Sequence, residues 1–113
     1  KIHKEFLIQT RKSVGVIIND SIGRAWRKGT IGTAIGAAGL PSLIDLRGQL
    51  DLFGNPLRTS EEAFADELAS AGSLIQGQGA EGLPVVLIQG LTSLKPFSSA
   101  SNLIRDAEKD MFR

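Results

Sequence analysis

Asp20-Ser21-Ile22-Gly23-Arg24-Ala25-Trp26-Arg27 follows directly on the apolar run Val14-Gly15-Val16-Ile17-Ile18-Asn19. A β-branched run that ends in Asp-Ser-x-Gly predicts a carboxylate and a hydroxyl at the tip of a buried strand. Both are hard oxygen donors of the kind that Mg²⁺ and Mn²⁺ prefer. Gly23 lets the backbone turn sharply after them. Arg24, Arg27 and Lys28 bring positive charge to the same rim. A divalent cation beside several basic groups is equipment for handling a nucleotide phosphate. The same residues also read as a strand that ends in an Asx-type turn with solvated cations.

The second candidate is Gln76-Gly77-Gln78-Gly79-Ala80-Glu81-Gly82. Glycines at 77, 79 and 82 expose backbone N–H groups that can wrap around phosphate oxygens. The loop follows a helix and precedes a strand, so its order is opposite to that of a P-loop. A plain helix-to-strand connector has the same composition.

Other chemistry is weaker. Asp66-Glu67 reads as a solvated pair on a helix. His3, the single histidine, reads as a surface helix residue, since no partner has metal-ligand spacing. Trp26 could stack on a base or pack beside a strand end. Ser98, Ser99 and Ser101 show no nucleophile elbow and no His partner. No catalytic residue is assigned.

These groups need elements to hold them. Lys1 to about Lys12 reads as the end of an amphipathic helix, with Ile2 and Phe6 on one face and Ser13 and Gly15 at its exit. Val14–Asn19 reads as a strand buried on both faces. Lys28–Leu40, with Gly29, Gly32, Gly36 and Gly39, reads as strand and loop with close backbone approach. Asp45-Leu46-Arg47-Gly48 and Asp51-Leu52-Phe53-Gly54 read as successive turns or a hairpin, with Asn55-Pro56 as a further break. The spacing predicts a helix from Ser60 to about Gln76. Thr59 and Glu62 suggest a capping box, and Phe64, Leu68, Ala71 and Ile75 form the apolar stripe. Gly77 suits the residue after the helix. Pro84–Gln89 reads as a second buried strand, and the tail from Ser98 has one short helical stretch around Leu103. Two strands, one strong helix and several turns predict an α+β domain with a mixed or antiparallel sheet and packed helices.

Composition bounds the function. The chain has 113 residues, one domain's worth, with 42% hydrophobic and 22% charged residues. That argues against disorder. A net charge of +1 gives no bulk attraction to nucleic acid or to membranes. No Cys is present, which excludes thiol catalysis and fits a reducing compartment. No stretch approaches the roughly 20 apolar residues of a membrane span. The chain starts without Met, inside what reads as a helix, so the expectation is a part of a longer polypeptide.

The residues Ile17 to Gly32, Ala34 to Pro41, Asp51-Leu52-Phe53-Gly54, Ala65 to Ala71 and Gly77 to Ile88 resemble the C-terminal half of the coenzyme F-420-0:L-glutamate ligase (gamma-glutamyl ligase) family. The close, Leu103-Ile104-Arg105 with Asp110-Met111-Phe112-Arg113, is similar to that family's terminus. The resemblance covers nearly all of residues 1–113. It implies a cytoplasmic, GTP-dependent enzyme that adds L-glutamate to the deazaflavin precursor through an acyl phosphate, releasing GDP and phosphate. It also implies an α+β fold in an intertwined homodimer, two Mg²⁺ or Mn²⁺ ions and a monovalent cation. By motif, Asp20 matches a metal ligand, Ser21 the neighbouring hydroxyl ligand for a second metal, and Gln78 a metal ligand within a GTP-contacting loop. That loop comprises Gln76, Gly77, Gln78, Gly79, Ala80, Glu81, Gly82 and Leu83. Arg24 and Arg27 are read as phosphate or substrate contacts.

The sequence departs from the family at several points. Ala25 stands where Pro is usual, Gln89 where an Arg-type residue is usual, and Gln76 and Gly79 replace commoner choices. The family's N-terminal half, with its Asp-x-Ser-Asn metal motif, is not among these residues, so the chain alone is expected to be inactive. A non-catalytic dimerisation or binding module, a split subunit, or a ligase of another acid and amine would share this fold.

Overall fold

The computed structural model describes residues 1–91 and 96–111. Phe112 and Arg113, part of the family-like terminus, lie outside the described residues. In chain order come helix α1 (Ile2–Thr10), strands β1 (Val16–Arg24), β2 (Arg27–Ala38), β3 (Ile44–Asp45) and β4 (Glu61–Glu62), and helix α2 (Phe64–Gln76). Two 3₁₀ turns follow, at Ala100–Leu103 and Ala107–Lys109. The class is α+β, with β1–β2 and β3–β4 each paired antiparallel.

The long β1–β2 hairpin is the floor of the molecule. Val16 pairs with Ala38, Ser21 with Gly32, and Arg24 with Arg27. Between Ile18 and Asn19 the register slips, leaving Ile35 as an extra, exposed residue on β2. Such a bulge reverses the alternation on one strand. Here it lets both Ala37 and Ala34 face α2, in line with Gly32 and Thr30, opposite Ile17, Asn19 and Ser21.

Helix α2 lies across that face. Phe64, Ala65 and Ala69 join Ala34 and Leu40 in the core, with Ile17, Ala37, Ile44, Leu68 and Leu103 packed around them. Small residues make the contact close. A Cβ on Gly32 would sit 2.5 Å from the Ala69 carbonyl oxygen and 2.6 Å from Ser73 Cβ. Two helix side chains bind the β2 backbone: Asp66 Oδ1 accepts from the Ala34 N–H at 2.8 Å, and Ser70 Oγ donates to the Gly32 carbonyl at 2.7 Å. These bonds satisfy strand groups that a third strand would otherwise take.

The remaining pieces are tied on by polar contacts. His3 Nδ1 lies 2.7 Å from the Val14 carbonyl, so the imidazole joins α1 to the entry of β1. Fully buried Ser42 donates from Oγ to the Ser99 carbonyl at 2.6 Å and from its N–H to Ser98 Oγ at 2.7 Å. The turns around Asp45 and Asp51 form a hairpin-like arm, bridged at Leu50 and Pro56. The Arg47 guanidinium bonds the Asp45 carboxylate and holds its pKa at about 2, below the ordinary 3.8.

Several expectations need correction. The strand is not confined to Val14–Asn19 or buried on both faces: β1 runs on to Arg24, and Ile18 is half exposed. Pairing with β2 carries it through polar residues, so Asp20 and Ser21 are mid-strand and the chain turns at Ala25-Trp26, not at Gly23. Helix α2 starts at Phe64, not Ser60, because Glu61-Glu62 pair with Ile44-Asp45, and the Thr59–Glu62 capping box does not form. Its buried stripe is Phe64, Ala65, Ala69 and Gly72, whereas Ala71 and Ile75 face outward. Asp66 is not solvated, since β2 claims it. Pro84–Gln89 forms no strand, and Val85 and Leu87 are exposed, because no described residue pairs with that segment. The Lys1–Lys12 helix, the close of α2 at Gly77 (φ +71°) and the short helix at Leu103 agree with the sequence reading.

The Gly32 contact gives a direct test. Gly32→Ala is expected to destabilise the chain by about 1–3 kcal/mol through overpacking against Ala69 and Ser73, measured by urea unfolding. An unchanged midpoint would show that α2 does not sit this close.

Candidate functional site

A cleft of about 550 Å³ opens where the middle of β1 meets the end of α2 and the following loop. β1 contributes Asn19, Asp20 and Ser21, and α2 contributes Ser73 and Gln76. The loop contributes Gly77, Gln78, Gly79, Gly82, Leu83 and Pro84. The structure therefore brings together the two segments that the sequence singled out separately. Asp20, Ser21 and Gln78 share one cavity.

Polar bonds set its shape. Asn19 Nδ2 donates to Gln76 Oε1 at 2.9 Å, and Gln76 Nε2 donates to the Pro84 carbonyl at 3.1 Å. One glutamine thus links β1, the end of α2 and the far side of the loop. Thr30 Oγ1 donates to Gln78 Oε1, tying the loop to β2. Asp20 Oδ1 accepts from the Ser21 N–H at 2.8 Å and stays on the exposed side of the strand.

The loop already holds an anion of its own. The Gly79 N–H donates to Glu81 Oε2 at 2.8 Å. Ala80 and Glu81 belong to the loop without lining the cleft, and Arg24 and Arg27 lie beyond it at the hairpin tip.

The donor set bears on metals. A carboxylate, a hydroxyl and an amide carbonyl are all hard oxygens. No group of three His, Cys, Asp or Glu side chains capable of holding a metal occurs among the described residues. Asp20 is the one carboxylate among the residues that line the cleft. Hard oxygens with a single carboxylate are compatible with ions of the Mg²⁺ type, which are commonly held by one or two carboxylates, with water and substrate phosphates filling the rest.

Asn19, Thr30 and Ser73 were not identified from sequence as parts of the site. Asn19 carried a signal: it is a polar residue closing an apolar run, next to Asp20. Thr30 carried none, because its partner lies 48 residues away.

The family described as F420-0:gamma-glutamyl ligase matches residues 1–90. The chain belongs to this family. A Methanocaldococcus jannaschii protein named Coenzyme F420:L-glutamate ligase is 50% identical over 115 residues, covering 100% of this chain and 45% of the relative. A Methanococcus maripaludis (strain C7) protein of that name is 48% identical over 104 residues, covering 92% and 42%. An Archaeoglobus fulgidus protein of that name is 38% identical over 113 residues, covering 100% and 45%. The chain spans less than half the length of these curated relatives. Among the described residues no helix is long and apolar enough to cross a membrane.

The clamp can be checked directly. Asn19→Ala is expected to speed amide exchange at residues 77–79 by about fivefold or more, since the lost hydrogen bond is worth about 1 kcal/mol. Unchanged exchange in this loop would mean that Gln76 does not depend on Asn19.

Proposed function

We propose that this chain carries part of the nucleotide- and metal-binding site of a GTP-dependent ligase that joins L-glutamate to coenzyme F420-0. The observation that carries the reading is the convergence of Asp20, Ser21 and Gln78 on one cleft beside a glycine-rich loop. The names of the relatives support the reaction class, a ligase of L-glutamate that forms a C–N bond; the proposal takes that bond as an amide to a carboxylate of the acceptor.

The chemistry runs in two steps. An oxygen of the acceptor's carboxylate attacks the γ-phosphorus of GTP. The bond to the β–γ bridging oxygen breaks, and GDP leaves. The glutamate nitrogen then attacks the carbonyl carbon of the acyl phosphate, loses a proton and expels phosphate. Much of the task is positioning and charge compensation. The amides of residues 76–83 would hold phosphate oxygens, with Glu81 swinging aside. Arg24 and Arg27 would face the anionic substrate.

Asp20, Ser21 and Gln78 would hold divalent cations. Neighbouring strand residues point to opposite faces. Asp20 and Ser21 therefore suit two ions better than joint chelation of one, with Gln78 beside Ser21. Bound there, such ions supply compensation for charge on the phosphates. A monovalent cation and a homodimer complete the proposal.

Asp20→Ala in the complete ligase is expected to lower turnover at least about 100-fold, as a metal held at the phosphates contributes several kcal/mol. Wild-type turnover would remove Asp20 from the site. Calorimetry of GTP with Mn²⁺ is expected to show metal-dependent binding by a protein of the relatives' full length and none by residues 1–113. Absence of binding in both would leave the non-catalytic module as the better reading.

A further inference from the structure

The tip of the β1–β2 hairpin is built unlike an ordinary turn. Arg24 pairs with Arg27, so Ala25 and Trp26 alone make the loop. Trp26 has φ +62°, and Ala25 is not in the positive region. That sign pattern belongs to a type II turn, whose second central residue is normally Gly or Asn. A bulky residue at positive φ is a genuine outlier. Residues held in such conformations concentrate at ligand clamps. The indole meanwhile buries almost nothing: Trp26 is 92% exposed. Packing within this chain does not explain its presence.

Three cations neighbour it in sequence. Arg24 and Arg27 are the residues on either side of the Ala25-Trp26 loop, Lys28 follows, and none of the three forms an ion pair among the described residues. The Arg24 guanidinium instead reaches across to the Lys28 carbonyl at 3.4 Å, on the opposite strand of the hairpin. The tip lies beyond the cleft on the same hairpin. Thr30, which bonds Gln78, lies three residues along β2 from Arg27, about 10 Å of strand. An exposed aromatic face on a turn that also carries unpaired cations can recognise ring and negative charge together.

We propose that residues 24–28 form a binding site for a planar heteroaromatic ligand that carries phosphate, with Trp26 as the stacking platform and Arg24, Arg27 and Lys28 as the anion contacts. Two molecules share this chemistry in the ligase reading: the nucleotide and the flavin-like acceptor. The inference rests on that reading only for its choice of probes.

Trp26 is the chain's single tryptophan, so its fluorescence reports the site alone. The titrations use flavin mononucleotide and GTP in EDTA, so that metal binding in the cleft cannot contribute. N-acetyltryptophanamide at matched concentration corrects for collisional and optical quenching. Flavin mononucleotide, GTP or both are expected to quench Trp26 beyond this control, and the stronger one identifies the source of the ring. Riboflavin and guanosine, which lack phosphate, are expected to bind about tenfold more weakly, as is either nucleotide with Arg24→Gln/Arg27→Gln. By equilibrium dialysis, Trp26→Phe is expected to retain binding and Trp26→Leu to lose about tenfold. Quenching no greater than the control with both probes would overturn the proposal. So would a blue-shifted emission that grows with protein concentration in the absence of ligand, because a second copy would then cover Trp26. Neither result touches the metal-dependent cleft, so the two readings fail separately.

Discussion

The structure depends on how closely α2 approaches β2. Gly32 has no side chain, and the backbone of α2 at Ala69 occupies the space that one would need. Asp66 and Ser70 then reach the strand backbone on either side of Thr33. A two-stranded ribbon alone is marginal in water. Here helix side chains bind backbone groups of the ribbon, and its small residues let Phe64, Ala65 and Ala69 close over it. The bulge at Ile35 matters for the same reason. It keeps Ala37 and Ala34 on the covered face on either side of the slip, so one helix serves β2 from Gly32 to Ala37.

The candidate site follows from that contact. Because α2 is pinned at Gly32 and Ala34, its last turn arrives beside Asn19, and Gln76 can join β1 to the loop. The loop then lies over Thr30, two residues from Gly32 along the same face. Asp20 and Ser21 take their place from the hairpin register, which sets Ser21 opposite Gly32. Thus the close contact of α2 with Gly32 and the cleft share one strand pair. Within the loop the Glu81 carboxylate accepts from the Gly79 amide.

Much of this was legible in the sequence, because it is local. The run Val16–Ile18, the helix-forming stretch ending at Gln76 and the stop at Gly77 each carry their own signal. The Asp20-Ser21 pair and the glycines of 77–82 announce oxygen donors and free amides by residue type. What was not legible depends on partners distant in sequence. Glu61-Glu62 look like the first turn of a helix, and only Ile44-Asp45 convert them to a strand. Pro84–Gln89 is apolar enough for a buried strand yet has no described neighbour to pair with. Asp66 looks solvated until β2 presents the Ala34 N–H. Trp26 sits in a turn that its residue type disfavours, a local rule broken at a place where binding gives a reason.

The proposed function requires β1 and the 77–82 loop to form a single metal-and-phosphate site. Paramagnetic broadening by Mn²⁺ in the presence of GTP tests it most directly, read from backbone amide signals in a ligase of full family length. The account expects the amides of Asp20, Ser21 and residues 77–79 to broaden together at substoichiometric Mn²⁺, while those around Asp45, Asp51 and Asp106 stay sharp. Broadening at those exposed carboxylates, with Asp20 and Gln78 unaffected, would contradict it.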